Sequence, residues 1–74
     1  MKVTIKLVGP FRDGRFKENV REYPSAVSVL EVVDELRIPR PLLGIVLIND
    51  IHARIEDELH DGDTLCLLPL LDGG

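Results

Sequence analysis

One stretch constrains this chain more than any other. Val29, Val32, Val33 and Leu36 recur at 3.6-residue spacing, with Glu31, Asp34 and Glu35 set between them. Ser28 is a good N-cap, and Glu31 three residues on completes a capping box. The spacing predicts a helix that begins at Ser28, and Pro39 and Pro41 are expected to end it. Three valines are weak helix formers, so the helix has to be held by packing against a sheet. One short helix covers one sheet face, and the rest of the chain must supply that sheet.

The strands are legible to different degrees. Val3, Ile5 and Leu7 alternate with Lys2, Thr4 and Lys6, the period-two pattern of a half-buried strand. Asp13-Gly14 offers a tight hairpin turn. A return strand is expected within 15–23, where weak alternation of Phe16, Val20 and Tyr23 points to a bulge or an irregular edge. Ile45-Val46-Leu47-Ile48 is a continuous apolar run, as in a central strand. Asn49-Asp50 can turn it, because both residues tolerate left-handed backbone. A short strand follows in 51–54. Residues 55–60 are ambiguous and leave room for a single helical turn. Asp61-Gly62-Asp63 reads as a turn and residues 64–70 as the last strand. A first and a last strand flanking a single helix give an α+β fold, a mixed sheet wrapped around that helix.

Size limits the chemistry. Seventy-four residues make one domain. A chain this small buries only about 60% of its unfolded surface, and such a core rarely contributes more than about 3–5 kcal/mol net. Cys66 is the one cysteine, so no internal disulfide can form, and a four-ligand zinc site is not expected. A substrate pocket typically needs ~300–1,000 Å³, a volume the chain is not expected to spare. A carrier, an adaptor or a small subunit is therefore favoured over a self-contained enzyme.

The net charge of −4 argues against a nucleic-acid module, which needs a basic stripe. Residues 1–40 carry 8 basic and 6 acidic side chains, whereas residues 41–74 carry Arg54 against 7 acids. The acidic half either keeps a small protein soluble or faces a basic partner. The start alternates like a strand and lacks the apolar region of a signal peptide. The longest apolar stretch, 41–48, is far below the ~20 residues that span a bilayer. With the lone thiol, these features point to the cytoplasm, away from membranes, as the expected location.

The C-terminal end carries the strongest functional signal. Leu65 and Leu67 share one side of the last strand, and Cys66 and Leu68 the other. A sheet covered by one helix needs only one apolar face, so the second face is either covered or open to a partner. Leu70, Leu71 and Asp72 follow, and the sequence closes on Gly73-Gly74. At average glycine usage, two final glycines arise in about one chain in two hundred. They anchor poorly, because glycine loses the most backbone freedom on ordering. A tail without Cβ atoms can thread a narrow channel and present its terminal carboxylate. The alternative is simple fraying.

Asp61-Gly62-Asp63-Thr64-Leu65-Cys66-Leu67-Leu68-Pro69-Leu70-Leu71-Asp72-Gly73-Gly74 resembles the end of the ubiquitin-like sulfur carriers, the MoaD/ThiS family. Glu22-Tyr23-Pro24, Ser28-Val29 and Ile48-Asn49-Asp50 stand upstream in that family's order, so the resemblance covers essentially the whole chain. It implies a β-grasp domain over 1–70 and a flexible tail over 71–74. It implies a carrier and not an enzyme. An adenylating partner enzyme would use ATP to activate the Gly74 carboxylate, with no cofactor bound by the carrier itself. A sulfur donor would then convert Gly74 to a thiocarboxylate, and a synthase subunit would accept the sulfur. Gly73 and Gly74 match the family directly. Pro69 is more like the molybdopterin-type carriers than the thiamine thiazole ones. Asp72 departs from the small residue commoner at its position. Cys66, Leu68, Pro69, Leu70, Leu71 and Asp72 are expected to meet partners. Cys66 is read as a small filler on that side, since the carried sulfur belongs on Gly74. The alternatives are a ubiquitin-like modifier joined to lysines through Gly74, and a plain interaction module with an inert tail. His52 and His60 lack further ligands at metal spacing, and acidic residues 56–63 lack the pattern of a calcium loop, so no metal is expected. Phe11, before the first turn, either anchors its loop or touches a partner.

Overall fold

The computed structural model describes residues 1–70. The expected tail, 71–74, lies outside the described residues. Strands β1 (Lys2–Leu7), β2 (Glu18–Glu22), β4 (Leu43–Ile48), β5 (Ile51–His52) and β7 (Thr64–Pro69) form a five-stranded sheet in the order β2-β1-β7-β4-β5. β1 and β7 run parallel, and the other pairings are antiparallel. Helix α1 (Val29–Glu35) lies on one face. A second sheet pairs β3 (Val27–Ser28) with β6 (Glu58–Leu59). A mixed sheet wrapped around one helix is the β-grasp architecture, and the α+β expectation holds.

Packing decides the helix. Val29, Val32, Val33 and Leu36 are all buried, and they meet Val3, Ile5 and Leu7 of β1 and Leu65 and Leu67 of β7 in one core. Each such side chain contributes about 1.5–3 kcal/mol relative to exposure. Ser28 caps the start, where its hydroxyl oxygen accepts the Glu31 N–H at 3.1 Å. The helix ends earlier than the prolines suggest. Arg37 takes a left-handed φ of 57°. Its N–H bonds the Asp34 carbonyl and the Ile38 N–H bonds the Val33 carbonyl, at 3.0 and 3.1 Å. This pair of bonds is the Schellman ending, usually built on glycine. Arg15 clamps it from outside. Its guanidinium donates to the carbonyls of Leu36, Arg37 and Phe11, so positive charge meets the helix C-terminus. Phe11, inside a 3₁₀ turn (Gly9–Arg12), is buried and anchors its loop.

Several local expectations change. Asp13-Gly14 forms no two-residue hairpin. Asp13 has φ −63° and ψ 122°, Gly14 has φ 69°, and Arg15 N–H bonds the Arg12 carbonyl at 2.9 Å. That is a type II turn within a longer connection. β2 pairs with β1 in an unbroken register from Lys2↔Glu22 to Lys6↔Glu18, without a bulge. Its alternation is weak because it is an edge strand. Val20 is 59% exposed, and Arg21 instead of an apolar residue faces the helix. Arg21 pairs with Glu35 and lies 5.3 Å from the Phe16 ring centroid, while Tyr23 donates to Glu35.

The segment 55–60 contains no helical turn. Its carbonyls are needed elsewhere. Ile55 and Asp57 accept the N–H groups of Leu30 and Val29, two of the donors that a helix start leaves unpaired. The apolar run at 45–48 lies one strand away from the centre, which β7 occupies, and only Val46 of β4 is buried. Asn49 and Asp50 do turn the chain, with φ 53° and 66°, as a two-residue hairpin demands. Among the described residues, no helix is long and apolar enough to cross a membrane.

Candidate functional site

β7 is the central strand, and its alternation divides it cleanly. Leu65 and Leu67 point into the core with no exposed surface. Cys66 and Leu68 point to the other face, where both are half-buried. Register identifies their neighbours. Cys66 stands between Lys6 of β1 and Leu47 of β4, and Leu68 stands beside Ile45. Directly opposed residues share a face. The helix-free face therefore carries an apolar strip of Ile45, Leu47, Cys66 and Leu68, with Thr4 and Thr64 beyond it. Lys6 flanks the strip on one side and His52, opposite Leu47, on the other. Ile45 is 40% exposed.

The strand ends at Pro69, paired with Leu43, and Leu70 follows with 64% of its surface exposed. Leu70 lines a mainly apolar cavity of about 330 Å³ with Leu42, Pro39, Pro69, Pro10 and Phe11, and with Arg15 as its charged member. The structure thus gathers four of the expected partner-facing residues, Cys66, Leu68, Pro69 and Leu70, along one strand end. The other two, Leu71 and Asp72, lie outside the described residues, as do Gly73 and Gly74 of the expected reactive end. Ile45, Leu47, Leu42 and Lys6 were not singled out from sequence. The parity of 45 and 47 against buried Val46 was the available signal, and it becomes readable once the β4–β7 register is known.

Burial pushes the Cys66 thiol up, against the opposing pull of Lys6, and Asp50 adds to the rise. A thiol held protonated is a poor nucleophile. That agrees with a filling role.

The acidic segment has a local purpose. Asp57 accepts the Arg54 N–H, Asp61 accepts the Lys2 N–H, and Asp63 accepts the His60 N–H, all within 2.9 Å. Asp63 also accepts the Asn49 side-chain amide, whose oxygen takes the Thr64 N–H. The His60 backbone bond holds the Asp63 carboxyl below its usual range, although partial burial opposes this. Asp57 and Asp63 close turns, and Asp61 ties its turn to the start of β1. Among the described residues, no three His, Cys, Asp or Glu side chains converge on a metal position. His52, Asp57, His60 and Asp63 line a depression of about 650 Å³. Volume of this order does exist, contrary to the expectation from size, but as a broad surface hollow open to solvent.

No family model and no curated protein matches the chain by sequence. Solved structures do match by shape. The HVO 2177 protein from Haloferax volcanii superposes with a TM-score of 0.81 at 21% identity, covering 100% of this chain and 87% of that one. SAMP1 from Haloferax volcanii gives 0.73 at 21% identity, with both chains fully covered. A protein–protein complex of subunits 1 and 2 of molybdopterin-converting factor from Helicobacter pylori contains a chain matching at 0.65 and 21% identity, again with full coverage of both. The protein is similar in fold to these small chains and shares their β-grasp architecture.

Proposed function

We propose that this protein is a sulfur carrier whose reactive group is the Gly74 carboxylate. The observation that carries the proposal is the placement of β7. The central strand of the sheet, rigid in the core, delivers Leu70 to the surface beside an apolar strip that no described element covers, just ahead of 71–74. A partner seated on that strip receives the Gly-Gly end directly. The similarity to a chain in a complex of subunits 1 and 2 of molybdopterin-converting factor supports a synthase-type partner, as does Pro69.

The chemistry belongs to the partners. In an ATP-dependent activating enzyme, a Gly74 carboxylate oxygen attacks the α-phosphorus of ATP and pyrophosphate leaves. The acyl-adenylate now has AMP as a good leaving group. A donor's persulfide sulfur attacks the carbonyl carbon and expels AMP, forming an acyl disulfide. A second thiol of the donor attacks the sulfur that remains on the donor. The S–S bond breaks, the donor is left as a disulfide, and Gly74 keeps the other sulfur as a thiocarboxylate. The carrier contributes a docking face and a tail slender enough to enter the activating site. Cys66 takes no part.

Intact mass spectrometry tests this reading. Protein ending at Gly74 is incubated with its cognate activating enzyme, ATP and a persulfide donor. The expected product has one oxygen replaced by sulfur at the C-terminus, and deletion of Gly74 abolishes it. An unmodified wild-type chain beside an enzyme of verified competence overturns the proposal. Isopeptide adducts to lysines in cells would assign the same activated end to protein modification.

A further inference from the structure

The point at which the chain leaves the sheet is built with unusual closeness, and one glycine permits it. Gly44 lies within β4 at a φ any residue can adopt, since it is absent from the positive-φ positions. Its need is space. A Cβ built there would lie 2.7 Å from both the Leu70 Cα and the Pro69 carbonyl oxygen, and 2.8 Å from the Leu70 nitrogen. All three are backbone atoms, which cannot swing aside as a flexible side chain can. The β4–β7 register runs Leu43↔Pro69 and then Ile45↔Leu68, so Gly44 is the extra residue of a bulge. The bulge brings the Leu70 N–H onto the Leu42 carbonyl at 2.6 Å, closing the strand end. Across β7, Gly9 approaches the Pro69 ring, where an added Cβ would lie at 3.7 Å.

We propose that Gly44 is a positioning residue for the C-terminal glycines. Its bulge fixes where, and in which direction, the chain departs from the sheet. The proposal rests on the sulfur-carrier reading. Four residues span at most about 13–14 Å when extended. A carboxylate delivered over so short a reach inherits any error in its origin. Reaction needs the attacking and accepting atoms at about 3–3.5 Å. Gly44→Ala forces the Leu70 backbone away by several tenths of an ångström and breaks the Leu42–Leu70 bond. The docking strip of Ile45, Leu47, Cys66 and Leu68 is left in place.

The test compares wild type with Gly44→Ala in two measurements. The first is amide exchange. The Leu70 N–H is expected to lose protection while those of Leu65 and Leu67 keep theirs. The second is the rate of sulfur loading by the activating enzyme with ATP and a persulfide donor. The expected change is a fall of about 100-fold in kcat, with KM unaltered because docking is intact. Wild-type kcat in Gly44→Ala overturns the proposal, as does a rise in KM alone, which would make Gly44 part of the docking face. Retained Leu70 protection also overturns it. If Gly44→Ala does not fold, a second pair decides. Leu70→Pro lacks the N–H that bonds Leu42, whereas Leu70→Ala keeps it, and both spare the core. A lower kcat for Leu70→Pro than for Leu70→Ala upholds the proposal, and equal values overturn it. A wild-type chain that is never loaded defeats the carrier reading itself. A loaded wild type with an equally loaded variant defeats only the role of Gly44.

Discussion

Cys66 separates two uses of a lone thiol. Its place between Lys6 and Leu47 leaves it half-buried, and burial holds the thiol protonated. Cys66→Ala is therefore expected to load sulfur on Gly74 with the wild-type kcat, any effect of its place in the docking strip appearing in KM alone, as read by intact mass over a range of carrier concentrations. A loss of loading would make the thiol a relay. Arg37 gives a second prediction at this scale. It holds a left-handed φ at the helix end, and its part in the Schellman ending is played by the backbone. The left-handed region costs a residue with a Cβ about 1–2 kcal/mol, partly offset by the roughly 0.5–1 kcal/mol entropy that glycine loses on ordering. Arg37→Gly should raise stability by up to about 1 kcal/mol, measured by chemical denaturation. The turn at Asn49-Asp50 was legible because the chemistry of those residues is local. The left-handed Arg37 was not, since arginine has no intrinsic preference for that region, and the Schellman bonds, the burial of Ile38 and the Arg15 clamp hold it there together.

Among the elements, the turn entering β7 depends on charge. Asp63 accepts the His60 N–H and holds Asn49, which in turn receives the Thr64 N–H, so one carboxylate joins the β4–β5 hairpin to the start of β7. Its pKa is depressed in the folded chain, chiefly by the His60 backbone bond. The stabilisation is present above the unfolded carboxylate pKa, about 3.9, and is lost as the pH falls through the lower folded value. Between pH 5 and pH 3, wild type should therefore lose more stability than Asp63→Asn, as measured by thermal melts. An equal loss would remove Asp63 from the account. The helix, β1 and β7 were legible because each carries its own periodicity. The segment 55–60 was not, because its conformation answers to unpaired N–H groups of a helix far away in sequence. β2 was blurred for a related reason. An edge strand can face the helix with Arg21 and leave Val20 in water.

At the scale of the whole molecule, the apolar strip on the helix-free face explains why a sheet covered by one helix keeps apolar residues on both sides of β7. Ile45→Asp and Leu68→Asp, both outside the core, are expected to lower kcat/KM for loading by more than about tenfold. The melting temperature should change little. Unaltered kinetics in both variants would move docking to another surface. Sequence by itself determined the class of fold, the helix and the two faces of β7. Those features follow from periodicity and residue chemistry along a continuous stretch. Only the tertiary structure decided that β7 is central, that Ile45 and Leu47 join Cys66 and Leu68, and that Gly44 lies against Leu70. Each of these depends on the register between strands that are distant in the chain, which is set by the packing of the whole core and by no single segment.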